Sequence, residues 1–92
     1  MYLLLCYDVV EAGRRARLFK KLKGYLRPVQ LSVFEGEIPD WRWTQLVRLV
    51  DDTIDPRTDT VRVYHLCRTC RGLLHLAGTA APVPDPDEPG VI

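Results

Sequence analysis

Apolar and polar positions change period along this chain, and the changes mark its elements. Tyr2 to Val9 is continuous apolar sequence of strand length, the pattern of a central strand covered on both faces. From Gly13 to Leu26 the period becomes helical: Leu18, Phe19, Leu22 and Leu26 form an apolar stripe, and Arg14, Arg15, Arg17, Lys20, Lys21 and Lys23 surround it. Pro28 stops that helix. Val29 to Ile38 returns to strand composition, as a hairpin turning near Gln30 to Ser32 or as one bent strand. Pro39 and Asp40 open a second helix with Trp43, Leu46, Val47, Val50 and Ile54 as its buried stripe, ended by Asp55 and Pro56. Thr60 to Leu66 reads as a strand, and Leu73 to Leu76, beyond a Cys67 to Gly72 turn, as a short last one.

Strand, helix, strand or strand pair, helix, strand, strand fits an α+β sandwich of the ferredoxin-like kind, an antiparallel sheet with two helices on one face. Alternation in the first strand places Leu3, Leu5 and Tyr7 on one face and Tyr2, Leu4, Cys6 and Asp8 on the other. Both faces are therefore apolar while the helices cover one, so the second face predicts a homodimer. Residues 1–78 make this domain. Residues 79–92 hold four of the seven prolines and no helical or strand period, and read as a flexible or partner-binding tail.

Length adds to the case for a dimer, because 92 residues bury only a modest core. No apolar run is long enough to span a membrane, and the first one lacks the basic flank and cleavage site of a signal peptide, so a cytoplasmic protein is expected. Three cysteines, an odd number, point to reduced thiols rather than a disulfide framework. The net charge of +1 hides an asymmetry: residues 1–36 carry +4, residues 37–78 are neutral, and residues 79–92 carry −3.

Asp8 is the first candidate for chemistry, because a carboxylate ending an apolar strand needs a partner. It caps the following loop or pairs with a basic residue of Arg14 to Arg17; alternatively, two copies meet at a dimer axis and hold Mg²⁺ or Mn²⁺ through hard oxygen ligands. Such a cation beside a basic helix suits phosphodiester chemistry, although the same helix also suits plain backbone binding or a solvated surface. His65, Cys67, Cys70 and His75 have the spacing H-x-C-x₂-C-x₄-H, which raises zinc or a redox dithiol against two thiols packed in a turn. Phe34 reads as core, with stacking on a nucleobase as the alternative.

A strand ending at Tyr7 and Asp8, an arginine-bearing first helix, "RPVQLSVFEGEI" from Arg27 to Ile38 and "DTVRVYHLC" from Asp59 to Cys67 together resemble the CRISPR-associated endoribonuclease family. The likeness runs through nearly all of residues 1–78, and its specific part is the Gln-x-Ser-Val-Phe-Glu-Gly block. The resemblance implies a ferredoxin-like homodimer that works with the CRISPR integrase in spacer acquisition and binds duplex DNA or RNA. It further implies a metal-dependent nuclease in which Asp8 from each subunit binds the metal, with Tyr7 beside it and Ser32 and Phe34 near the site. Arg14, Arg17 and Arg27 then hold phosphates, with Arg15 competing for the helix positions. The chain departs from the family in its short "VVEAG" loop carrying Glu11 and in its acidic tail, which favours a protein contact. The alternatives are a non-catalytic adaptor bridging integrase dimers and, more remotely, a metal-carrying or redox domain built on Cys67 and Cys70.

Overall fold

The computed structural model describes residues 1–83. Seven elements follow in order: β1 (Tyr2–Asp8), α1 (Ala12–Leu22), β2 (Arg27–Gln30), β3 (Val33–Glu37), α2 (Asp40–Thr53), β4 (Thr60–Leu66) and α3 (Arg68–Gly72). The four strands form one sheet in the order β2-β3-β1-β4, with every neighbouring pair antiparallel. This is the ferredoxin-like arrangement that the order of elements predicts.

β1 is central because it is apolar on both sides, and its burial alternates accordingly. Leu3, Leu5 and Tyr7 are buried beneath the helices, while Tyr2, Leu4 and Cys6 are half-buried and Asp8 is exposed on the open face. The register carries both faces across the sheet: Leu5 lies opposite Phe34 and Val63, and Leu4 opposite Glu35 and Tyr64. The core therefore collects Leu3, Leu5, Tyr7, Phe34 and Ile38 from the sheet side, Leu18 and Leu22 from α1, and Leu46 and Val50 from α2.

Gly36 faces that core where the chain entering β2 passes close by. A Cβ there would lie 3.2 Å from Leu26 Cδ2 and 3.5 Å from Leu26 Cα. The "FEGE" glycine thus marks a close approach of two chain segments.

Two expectations are corrected, and one open choice is decided. The first helix ends at Leu22 rather than Leu26: Tyr25 and Leu26 both donate backbone N–H bonds of 2.9 Å to the Leu22 carbonyl, which tightens the last turn and frees the chain for β2. Leu26 stays buried nonetheless. Val29 to Ile38 is the hairpin, turning at Leu31 and Ser32, with a bulge between Pro28 and Gln30. Leu73 to Leu76 forms no strand. Instead Cys67 to Gly72 coils into α3, and Leu73 and Leu74 stand 77% and 54% exposed, paired with no sheet edge.

On α2 the inward stripe runs through Leu46 and Val50 to the buried Thr53, with Leu49 packed against the core, whereas Val47 sits at the rim. No helix among the described residues is long and apolar enough to cross a membrane. The tail reading falls mostly on residues 84–92, outside the described residues.

Candidate functional site

The carboxyl end of β1 gathers most of the residues that the sequence singles out. Asp8 lies opposite Thr60 on the exposed end of the open face. The Tyr7 amide donates to the Ser32 carbonyl at 3.1 Å, and the Tyr7 hydroxyl to the Leu31 carbonyl at 3.4 Å, so the β2–β3 turn is pinned beside Asp8. Burial raises the Tyr7 hydroxyl above its ordinary pKa, an effect that nearby Arg15 opposes. It therefore stays protonated near neutrality and acts as a fixed donor to that turn.

The loop after β1 is held by a residue to which the sequence reading gave no role, although it opens the "DTVRVYHLC" segment. Asp59, just before β4, accepts from the amides of Val10 at 3.0 Å and Asp55 at 2.8 Å, from Arg14 Nε at 2.6 Å and Nη2 at 3.2 Å, and from the Thr58 hydroxyl at 3.1 Å. Its side chain is fully buried. The Arg14 guanidinium, followed by the amides of Asp55 and Val10 and the Thr58 hydroxyl, holds its carboxyl well below the usual carboxylate range against the opposing effect of burial. One charge thus joins the β1–α1 loop, α1 and the α2–β4 loop. The signal available in the sequence was the acid directly before a strand, which is too common to identify alone.

That pairing divides the helix arginines. Arg14 is folded onto Asp59, with Nε and Nη2 both bonded to its carboxylate. Arg15 reaches the Val9 carbonyl at 3.1 Å and so stands next to the end of β1. Arg17 is exposed on α1. Glu11 caps α1 by accepting the Gly13 amide at 3.0 Å and the Arg14 amide; those bonds, Arg14 first, lower its pKa.

Two expected positions fall elsewhere. Phe34 is fully buried on the helix side, its ring 5.3 Å from Phe19 and 6.2 Å from Tyr7, so no base can stack on it. Its register with Leu5 decides this, since Leu5 belongs to the inward face. Arg27 is exposed but shares the cross-sheet row of Glu35 and Leu4, four residues along β1 from Asp8. A basic residue missed by the sequence reading is closer: Arg62, opposite Cys6, points to the open face diagonally adjacent to Asp8. The alternation of Thr60, Arg62 and Tyr64 was its signal.

The cysteine pair gathers no metal ligands around it. Among the described residues no three of His, Cys, Asp and Glu cluster as a metal site, and His65 packs edge-on against Trp43 at 4.8 Å on the helix side. Asp8 likewise belongs to no such cluster among the described residues, and its carboxylate is a hard donor. A divalent cation there would need further oxygen ligands besides this one carboxylate.

Residues 1–72 match the family model described as CRISPR associated protein Cas2. A Chloroflexus aurantiacus protein named CRISPR-associated endoribonuclease Cas2 1 is 34% identical over 83 residues, covering 89% of this chain and 89% of the relative. The Thermotoga maritima CRISPR-associated endoribonuclease Cas2 is 41% identical over 64 residues, 70% of this chain and 72% of that one. For the Rhodospirillum rubrum relative, 37% identical over 67 residues, the match spans 73% of this chain but about half (54%) of the relative's length. The crystal structure of Streptococcus pyogenes Cas2 aligns with a TM-score of 0.75 at 26% identity, covering 85% of this chain and 100% of that one.

Proposed function

This chain belongs to the CRISPR-associated Cas2 family, and from that premise we propose that it is a metal-dependent endoribonuclease acting as a homodimer, with Asp8 of each subunit binding Mg²⁺ or Mn²⁺. The observation that carries the reading is the placement of Asp8: exposed at the end of the central strand, with Arg15 near the same strand end and Arg62 diagonally across the sheet. A cation held there supplies charge neutralisation at a phosphate and a more acidic water. The protein's own part is to hold the nucleic acid. Arg15, Arg17 and Arg62 meet phosphate oxygens, and the Tyr7 and Ser32 bonds keep the adjoining turn in place.

The open sheet face supports the dimer. Leu4, Cys6, Val33, Tyr64 and Leu66 form an apolar centre flanked by Glu35, Glu37 and Arg62. Burying such a face against a second copy also brings the two Asp8 ends together when the axis passes near them.

The lack of a cluster of three possible metal ligands among the described residues favours a second reading in the same family, a non-catalytic adaptor that grips duplex DNA by its backbone and bridges dimers of the CRISPR integrase. In it the residues after 78, with their acidic tail, contact the integrase.

The test compares wild type with Asp8→Ala and Asp8→Asn on single-stranded RNA and duplex DNA, in Mg²⁺, in Mn²⁺ and in chelator. The enzyme reading predicts cleavage that needs the ion and is lost in both variants while nucleic-acid binding persists. Cleavage that survives Asp8→Ala rules out this site; binding without cleavage in any metal, with spacer acquisition intact in Asp8→Ala cells, selects the adaptor.

A further inference from the structure

Cys67 and Cys70 are absorbed neither by the core nor by the Asp8 site. Both are exposed, free thiols on one turn: Cys67 caps α3, its sulfur accepting the Cys70 amide at 3.4 Å, and its carbonyl accepts the Arg71 amide at 3.0 Å. A helical turn closed this way sets residues three apart at about 5–6 Å between Cα atoms, inside the range a disulfide spans. Cys6 is no competitor. Tyr2 pairs with Leu66, so Cys67 lies beyond the start of β1 while Cys6 sits four residues further up that strand, which separates the two by more than roughly 13 Å.

We propose that Cys67 and Cys70 are a redox modification site, closing reversibly to an intrachain disulfide by exchange with a small-molecule disulfide such as oxidised glutathione. The Cys67 thiolate attacks one sulfur of the oxidant and releases one thiol. Cys70 then gives up its proton and attacks the Cys67 sulfur of the mixed disulfide, releasing the second thiol. Two protein thiols are oxidised and one external disulfide is reduced to two thiols, so the exchange balances. The division of roles follows from the local bonds. The Cys70 amide and then the Cys70 thiol pull Cys67 below the ordinary thiol value, whereas the bond Cys70 gives to Cys67 raises its own. A thiol of lowered pKa is also a good leaving group, which keeps the bond easy to reduce.

The bond acts on the joint between α3 and the sheet. Arg71, next to Cys70, lies 4.0 Å from the centroid of the Tyr2 ring and 3.8 Å from Glu37 Oε2, and these contacts tie α3 to the open face. A helix of five residues is too short to persist on its own, so closing its first turn holds that tie in place.

The experiment equilibrates the full chain in reduced and oxidised glutathione and reads it by alkylation, intact mass and peptide mapping. Oxidation should remove the mass of two hydrogens, link Cys67 to Cys70 and leave Cys6 alkylatable. Before oxidation Cys67 should alkylate about tenfold faster than Cys70 near neutral pH. Cys70→Ser should accumulate a glutathione adduct on Cys67, Cys67→Ser far less on Cys70, and Cys6→Ser should behave as wild type. Amide exchange across Cys70 to Gly72 should slow in the oxidised protein. Two thiols that stay free in oxidising buffer, a bond to Cys6, or adducts that never resolve in the wild type each overturn the proposal.

Discussion

Asp59 and Asp8 are both acids at strand ends, and their surroundings give them opposite work. Asp59 is buried under Arg14 and three neighbouring donors; Asp8 faces solvent. Because Asp59 titrates lower in the folded protein than in the unfolded chain, its stabilising contribution is complete above the unfolded value of about 3.9 and fades as pH falls toward the folded value. Acid titration followed by circular dichroism should therefore show stability falling below about pH 4 in wild type, and a flatter profile with a lower neutral-pH midpoint in Asp59→Asn. Asp8→Ala, at an exposed position, should leave thermal stability nearly unchanged. Phe34→Ala should destabilise by about 3–5 kcal/mol in chemical denaturation, the loss expected for a buried aromatic. A smaller loss, with weakened nucleic-acid binding instead, would return Phe34 to the site.

Among the elements, β1 and α1 were the most legible and also the ones whose details misled. A strand apolar on both faces and a helix with a basic exterior follow directly from residue spacing. The choice among Arg14, Arg15 and Arg17 does not, because it depends on an acid 45 positions after Arg14 that folds back against it. Removing Arg15 or Arg17 should weaken binding to RNA of any sequence and reduce the slope of log affinity against log salt by about 1 each, measured by fluorescence anisotropy across a salt series. Arg14→Ala should instead act on folding, lowering the thermal midpoint. In β3, Gly36→Val should destabilise far more than Gly36→Ala. The alanine methyl needs only a shift of the Leu26 side chain, while the larger branch meets Leu26 on a buried face.

At the scale of the whole molecule, a domain of 92 residues with an apolar second sheet face should be stabilised by its own association. Its thermal midpoint should rise with protein concentration. Sedimentation should find a dimer in wild type and a monomer in Leu4→Lys or Tyr64→Glu, both placed centrally on the open face, with secondary structure retained at high concentration. A wild-type monomer at all concentrations would remove the paired-Asp8 site along with the dimer. The redox pair is independent of that outcome, since both thiols and the turn joining them lie in one chain.

Element order, the two-sided apolar first strand, the basic helix and the position of Asp8 are all local properties, carried by residue spacing over one or two turns or a single strand. The hairpin at Leu31 and Ser32 and the inward turn of Phe34 rest on register, which compares segments that meet only when the sheet forms. The same holds for electrostatics. Asp59 owes its low pKa to Arg14, and Arg62 owes its place beside Asp8 to the pairing of β4 with β1. A one-dimensional pattern shows which side of a strand or helix a residue occupies; which charge that side then meets is determined only when the strands pair.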